Sequence, residues 1–250
     1  MIEYQIKNNS LTGMIQAINE CTLGKDVLLI KSILKSYSLN DFGNILSNQL
    51  GFKNDDRQLN LDNSIERSIW WPIIYDQRRD NVYTHSKTRQ PLHSDSAWFS
   101  EPAEMVFLAV ERQAKTGGET TIYTLERLLN DLEKEDNTLL SDLQSVKVKI
   151  NKEISGKYHN ETTIIKNEDS IYWNYYRTEK KEKTTKLMCD KFFNFLEKKE
   201  RTNSVEILRG ESSDIICFND TKLLHGRLKF KARKKGDRLL HQSMWFINNL

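Results

Sequence analysis

Two side chains able to bind a metal stand two residues apart in the stretch PLHSDSAWF (91–99): His93 and Asp95. On an extended strand, positions i and i+2 face the same side, so an imidazole nitrogen and a carboxylate oxygen at this spacing can meet one ion. Two ligands hold a metal weakly, and a third must come from elsewhere in the chain. The remaining histidines are His85, His159, His225 and His241. His225 stands out by its setting. It follows the apolar run DIICFN (214–219) and the turn-like DTK, and it opens HGR, which places it at the mouth of a strand. Two histidines and a carboxylate on one face of an ion leave open the positions that non-haem Fe(II) oxygenases use. A catalytic zinc site instead is tetrahedral with one open position. Ligand types alone leave both metals open.

Elements of the right kind to position such residues can be read along the chain. DVLLIK (26–31) is expected to be a buried strand, and SLNDFGNILSNQLGF (38–52) a helix. Ser38 is its expected N-cap with Asp41 three residues on, Leu39, Phe42, Leu46 and Leu50 share one face, and Gly51 ends it. The chain is thus expected to open with a strand and then a helix. From residue 70 strands dominate: EMVFLAVE (104–111), SVKVKI (145–150), ETTIIK, SIYWNYYR, SVEIL, DIICFN and LLHQSMWFI are rich in β-branched and aromatic residues. Two helices interrupt them. TLERLLNDLEKE (124–135) carries a stripe of leucines, and a second helix over about 182–199 is expected to turn Leu187, Met188, Phe192, Phe195 and Leu196 toward a core. The fold class expected is β-rich α+β, a sandwich or barrel with flanking helices, and a jelly roll is one way to build it. With 250 residues and no linker or repeat, one domain over 1–250 is expected.

Composition narrows the function classes. Hydrophobic residues make up 38% of the chain and charged ones 29%, the pattern of a soluble globular protein. No apolar run approaches the length of a membrane span. MIEYQIKNNS lacks the basic and apolar regions of a secretory signal. The three cysteines, Cys21, Cys189 and Cys217, are odd in number and far apart, which suggests a reducing compartment and a cytoplasmic location. A net charge of +3 makes no case for nucleic acid or membrane as partner. The charge is uneven, because RLKFKARKKGDR (227–238) holds seven Lys or Arg. A solvated loop is the plain reading of that segment, and a surface that attracts an acidic partner is the functional one. There is no G-x-S-x-G elbow, P-loop or G-x-G-x-x-G.

Beyond the histidines lie TGGETT (116–121) and FNDTKLLHGRLKFKARKKGDRLL (218–240). The order H-x-D, G-G-[ED]-T, L-H-G-R-x-x-F and D-R-x-L strongly resembles the taurine dioxygenase (TauD/TfdA) family and its clavaminate synthase-like amino-acid oxygenases, over about residues 26–246. The resemblance implies a double-stranded β-helix, or jelly-roll, core and a requirement for Fe(II), 2-oxoglutarate and O2. It implies iron ligation by His93, Asp95 and His225. Arg238 in GDRLL would pair with the distal carboxylate of 2-oxoglutarate, where a planar guanidinium fork suits a carboxylate, and Thr120 would help hold the same cosubstrate. The spacing from His225 to Arg238 is one residue shorter than in the amino-acid oxygenase form, so Arg227 and Arg233 are rivals, with Arg227 read as structural. A carboxylate at position 95, where halogenating relatives carry a small residue, implies oxygenation.

The implied reaction hydroxylates an unactivated C–H bond of an amino-acid-like small molecule, free or tethered to an acidic carrier protein, with succinate and CO2 as coproducts. Desaturation, epimerisation or cyclisation would use the same chemistry. Trp98 and Phe99 follow the ligand strand; being adjacent, only one can face a pocket, and Trp98 is the candidate. Gln90 and Arg177 are the other candidate substrate contacts. A non-catalytic jelly-roll binding protein has no use for the whole set of five cofactor residues, and a zinc hydrolase or lyase has no need of Arg238.

Overall fold

The computed structural model describes residues 2–5, 10–24, 26–57, 69–152 and 158–247. Its large sheet contains β1 (Ile2–Gln5), β2 (Leu28–Lys31), β3 (Lys53–Asn54), β4 (Trp71–Ile74), β6 (Met105–Arg112), β13 (Ile215–Asn219) and β15 (Leu239–Phe246). The strands run in the order β1-β2-β13-β6-β15-β3, and β4 also pairs with β15. The small sheet is β12-β7-β14-β5, built from β5 (Gln90–His93), β7 (Thr120–Thr124), β12 (Glu206–Leu208) and β14 (Leu223–Arg227). Two hairpins complete the strands, β8 (Lys147–Asn151) with β9 (His159–Thr163) and β10 (Ile165–Lys166) with β11 (Ser170–Ile171).

The two principal sheets face each other across Val106, Leu108, Val110, Ile216, Phe218 and Met244 from one side and Ile122, Leu208 and Leu223 from the other. Alternation sends the intervening residues outward. Phe107, Ala109, Ile215 and Cys217 pack under α1 (Leu11–Thr22) and α2 (Leu39–Leu50). Tyr123 and Leu224, on the far side of the small sheet, pack under α3 (Leu125–Glu135), α4 (Asn137–Ser145) and α5 (Lys183–Arg201). Covering both faces explains why β6 reads as a continuous apolar run rather than an alternating one. This is the β-rich α+β jelly-roll sandwich with flanking helices that the sequence predicts.

Several expectations hold in detail. Ser38 and Asp41 form a reciprocal capping box, and Gly51 closes α2 in the left-handed region at φ 67°. Others do not. The chain opens β1-α1-β2, because Met14, Ile18 and Cys21 make a buried stripe that begins at the Ser10 cap. Helix α4, capped by Asp136, is a further element that the sequence reading lacks. Leu187 is 69% exposed; Met188, Phe192 and Leu196 set the phase of α5, and Leu187 lies about 100° off it. SIYWNYYR is a strand only at Ser170–Ile171, since the carbonyl of Trp173 accepts the amide of Ser94 and that of Asn174 closes a turn with Arg177 and Thr178. All three cysteines are free and buried. Among the described residues, no helix is long and apolar enough to cross a membrane.

Gly226 sits where β14 passes between β5 and β7. A Cβ there would lie 2.7 Å from the carbonyl oxygen of Gln90 and 2.7 Å from Thr121 Oγ1. Gly226→Ala should therefore push β5 off β14 and cost about 1–3 kcal/mol of unfolding free energy, as overpacking does, measured by urea denaturation with a lowered midpoint.

Candidate metal centre

The antiparallel pairing of β14 with β5 sets His225 directly opposite His93. Their neighbours Leu224 and Leu92 belong to the cluster under α3–α5, so both imidazoles turn into the sandwich interior. The ring centroids are 4.4 Å apart. Asp95 joins them differently from the expected i, i+2 geometry of one strand. Strand β5 ends at His93, and Asp95 begins the following turn. Its position is set by its own amide, which donates to Asp220 Oδ2 at 2.6 Å. Asp95 Oδ1 then lies 3.4 Å from His93 Nε2, and Oδ2 lies 3.6 Å from His225 Nε2. One ligand atom from each of the three residues falls within 4.8 Å of the others. Metal bonds of about 2.1 Å meeting near right angles place neighbouring ligand atoms about 3 Å apart, so a small contraction closes the set on an ion.

The surroundings hold both imidazoles with Nε2 toward the centre. His93 Nδ1 is 2.9 Å from the carbonyl of Pro91, to which it can only donate. His225 Nδ1 lies 2.8 Å from Asp220 Oδ1 in an off-axis ion-pair contact. Orientation of this kind fixes tautomer and ring together. Asp220 thus reaches two candidate ligands at once, the ring of one and the backbone of the other. Burial pushes its carboxyl up to about 6, against the opposing effect of His225. Burial acts to raise Asp95 as well, but His225, His93 and the amide of Gln242, which donates to Oδ2 at 2.6 Å, hold it well below the usual carboxylate range. The centre therefore favours a positive charge. Asp220 and Gln242 escape a reading of sequence because nothing in their spacing marks them. The only signal is that Asp220 opens the DTK turn five residues before His225.

A cavity of 60 Å³ beside the three residues is lined also by Thr120, Arg238, Gln90, Arg227 and Gln242. Arg238 is buried there. Its Nη2 donates to the carbonyl of Gly118 at 3.3 Å, while its Nε has no partner. Among the described residues it forms no ion pair, and burial, reinforced by Arg227, pushes its pKa down to about 9. A buried guanidinium without a counter-charge is costly unless an anion meets it. Of the rival arginines, Arg227 shares the cavity wall but is held by backbone, and Arg233 lies outside it. Arg227 donates to the carbonyls of Ser86 and Thr88 at 2.9 and 2.8 Å, and Arg233 is exposed. Gly117 and Gly118 have φ of 77° and 82°, which gives the TGGETT motif its reason: the double turn brings the carbonyl of Gly118 and the side chain of Thr120 to Arg238.

The structure separates the candidate substrate contacts. Gln90 lines the cavity, its amide nitrogen 3.0 Å from His93 Nε2. A neighbouring 30 Å³ cavity shares Gln90 and His93 and adds Tyr83, Asn174 and Tyr176. Trp98 lines neither cavity. It packs on the cluster under α3–α5, with Lys152 above its ring at 5.5 Å. Phe99 is buried and stacks on Arg57. Arg177 is exposed and donates to the carbonyl of Lys152, outside both cavities, while Tyr176, itself mostly exposed, stands at the rim of the smaller one. His85 Nδ1 contacts the carbonyl of Ile74 and His241 pairs with Glu111, so neither joins the centre.

A jelly-roll sandwich carrying two histidines and a carboxylate at one end, with a buried arginine beside them, defines the class of non-haem iron oxygenases. The chain belongs to the taurine catabolism dioxygenase TauD, TfdA family, whose sequence model matches residues 63–244. No curated protein sequence matches it. Among solved structures it is similar to the non-haem iron oxygenase OrfP in complex with Fe, succinate and (3S)-hydroxy-L-Arg, at a TM-score of 0.67 and 13% identity over 93% of this chain and 80% of that one. OrfP in complex with Fe and alpha-ketoglutaric acid gives 0.65 and 12% over 100% and 95%. Asparagine oxygenase in complex with Fe(II), 2S,3S-3-hydroxyasparagine and succinate gives 0.59 and 14% over 72% of this chain, which spans 56% of that protein's length.

If Asp220 positions His225 and Asp95, Asp220→Asn should weaken Fe(II) binding by about 10–100-fold while the protein stays folded. Anaerobic calorimetric titration with Fe(II), alongside circular dichroism, measures it. His225→Ala should abolish the same binding isotherm.

Proposed function

We propose that residues 1–250 form one Fe(II)/2-oxoglutarate-dependent oxygenase domain that hydroxylates an unactivated C–H bond of a free amino acid. The observation that carries this reading is Arg238, a buried cation without a carboxylate partner beside a three-ligand centre. His93, Asp95 and His225 would hold the iron. Bound Fe(II) and 2-oxoglutarate supply the oxidant for the C–H bond from O2, with release of succinate and CO2. Arg238 would pair with the distal carboxylate of the cosubstrate, and Thr120 lies in the same wall. A binding module would carry the cost of burying Arg238 with no return.

The remaining residues position the substrate and exclude water. With Nε2 of His93 given to a metal, the amide of Gln90 loses that acceptor and must turn away. Gln90 is common to both small cavities, so its rotation joins them. It is then free to contact the amino acid, under Tyr83 and Tyr176, whose rings lie 5.8 Å apart. The complexes of the similar structures, with hydroxyasparagine and hydroxy-L-Arg, support an amino acid as substrate.

Succinate release from 2-oxoglutarate, screened over the free amino acids and their aminoacyl thioesters, tests the proposal. Turnover with at least one free amino acid, absent without Fe(II), is the expected outcome. Turnover with zinc and no O2 would overturn it. Loss of a charge-assisted carboxylate contact in Arg238→Met should raise the KM for 2-oxoglutarate by about 10–100-fold, with a far smaller change in the KM for the amino acid. Gln90→Ala should do the reverse in the same steady-state assays.

A further inference from the structure

A second concavity shares no lining residue with the metal-centre cavity, and its floor residue Phe230 backs onto Arg238. Its volume is 810 Å³, within the range of about 300–1,000 Å³ that suits small-molecule sites. One wall is the segment Lys231–Lys234, and the other comes from Arg112 at the end of β6 and from Gln113, Lys115 and Thr116. The two are joined by the Gly117–Phe230 bridge and by the amide of Lys231, which donates to the carbonyl of Thr116 at 3.0 Å. Phe230 and Ala232 give it an apolar floor, backed by Tyr75 and Ala114.

Six cations line this space: Lys87, Arg112, Lys115, Lys231, Arg233 and Lys234. Its one carboxylate, Asp237, is already engaged by the backbone amides of Arg233 and Lys234 at 2.7 and 3.1 Å. Elsewhere several cations of this protein meet acids. Lys191 pairs with Asp136, Lys199 with Asp131 and Glu135, and Arg209 with Glu119 and Glu211. The basic run itself divides. Lys235 turns out to Asp76, Arg227 and Arg238 turn inward, and Lys231, Arg233 and Lys234 face the concavity. A solvated loop would spread its charges apart. Here three separate stretches of chain bring six exposed cations to the rim of one hollow, and a bound anion would relieve their mutual repulsion.

We propose that this hollow binds a phosphate-bearing small molecule of the nucleoside diphosphate class, at a site distinct from the oxygenase centre. The cations meet the phosphates and the apolar floor takes the planar body. The concavity favours a small molecule over a flat protein surface, because the charges converge instead of covering a face.

Calorimetric titration of the full chain with ADP, pyrophosphate and adenosine tests this. ADP should bind one-to-one, pyrophosphate more weakly, and adenosine not measurably. The combined variant Lys231→Glu, Arg233→Glu and Lys234→Glu should lose at least about 100-fold in ADP affinity, at roughly tenfold per charged contact, with an unchanged melting temperature in the absence of ADP. Arg238→Met should leave ADP binding intact. The site assignment is overturned if adenosine binds as well as ADP, if the charge reversal has no effect, or if 2-oxoglutarate displaces the nucleotide. Saturable binding of a holo acyl carrier protein, without binding of ADP, would overturn the small-molecule class. Iron is absent throughout and 2-oxoglutarate enters only the displacement step, so a failure of ADP to bind leaves the oxygenase reading untouched.

Discussion

The candidate centre depends on one pairing, the antiparallel register of β14 against β5 that sets His225 opposite His93. A slip of one residue would turn either imidazole out of the sandwich and into the apolar layer under α3–α5. The register is held from several sides. Leu223 and Leu224 are fully buried on opposite faces of β14, so exchanging the faces would carry His225 into an apolar layer. Gly226 allows the backbone of Gln90 and the side chain of Thr121 to approach where any Cβ would intrude. Arg227 clamps the carbonyls of Ser86 and Thr88 and so holds the segment that leads into β5.

Charge at the site follows from the same enclosure. Burial alone would disfavour each ionised group, and the groups persist by opposing one another. Asp220 and Asp95 face His225, and Gln242 reaches across from the large sheet to Asp95. Arg238 is a buried cation that, among the described residues, meets the carbonyl of Gly118 and the ring of Phe230 but forms no ion pair. The polar network is therefore closed around the three candidate ligands and open toward an anion on the side of Thr120. That asymmetry is what a chelating keto acid with a second carboxylate requires.

Much of this was legible in the residues. The capping box of α2, the both-face burial of β6 and the leucine stripe of α3 follow from local spacing, because helix caps and periodicity are short-range. Motif order marked His93, Asp95, His225, Thr120 and Arg238 as one set. Substrate contacts were less legible. Gln90 lies beside the centre, but Trp98 and Arg177 lie outside it, since the direction of a side chain on a turn depends on bonds from distant residues. Helix α1 carried a readable stripe in Met14, Ile18 and Cys21, behind a Gly- and Asn-containing segment with weak helix propensity.

What the sequence by itself determined is the chemistry: the ligand types, the glycines that permit close approach, and the guanidinium suited to a carboxylate. Only the tertiary structure decided which groups hold those residues in place. Asp220, in the turn between β13 and β14, and Gln242, on β15, meet Asp95 through contacts 125 and 147 residues long in sequence. It also decided that the cations of residues 231–234 share a hollow with Lys87 and Lys115. No local pattern encodes such meetings, because they arise from the packing of two sheets whose strands interleave along the whole chain.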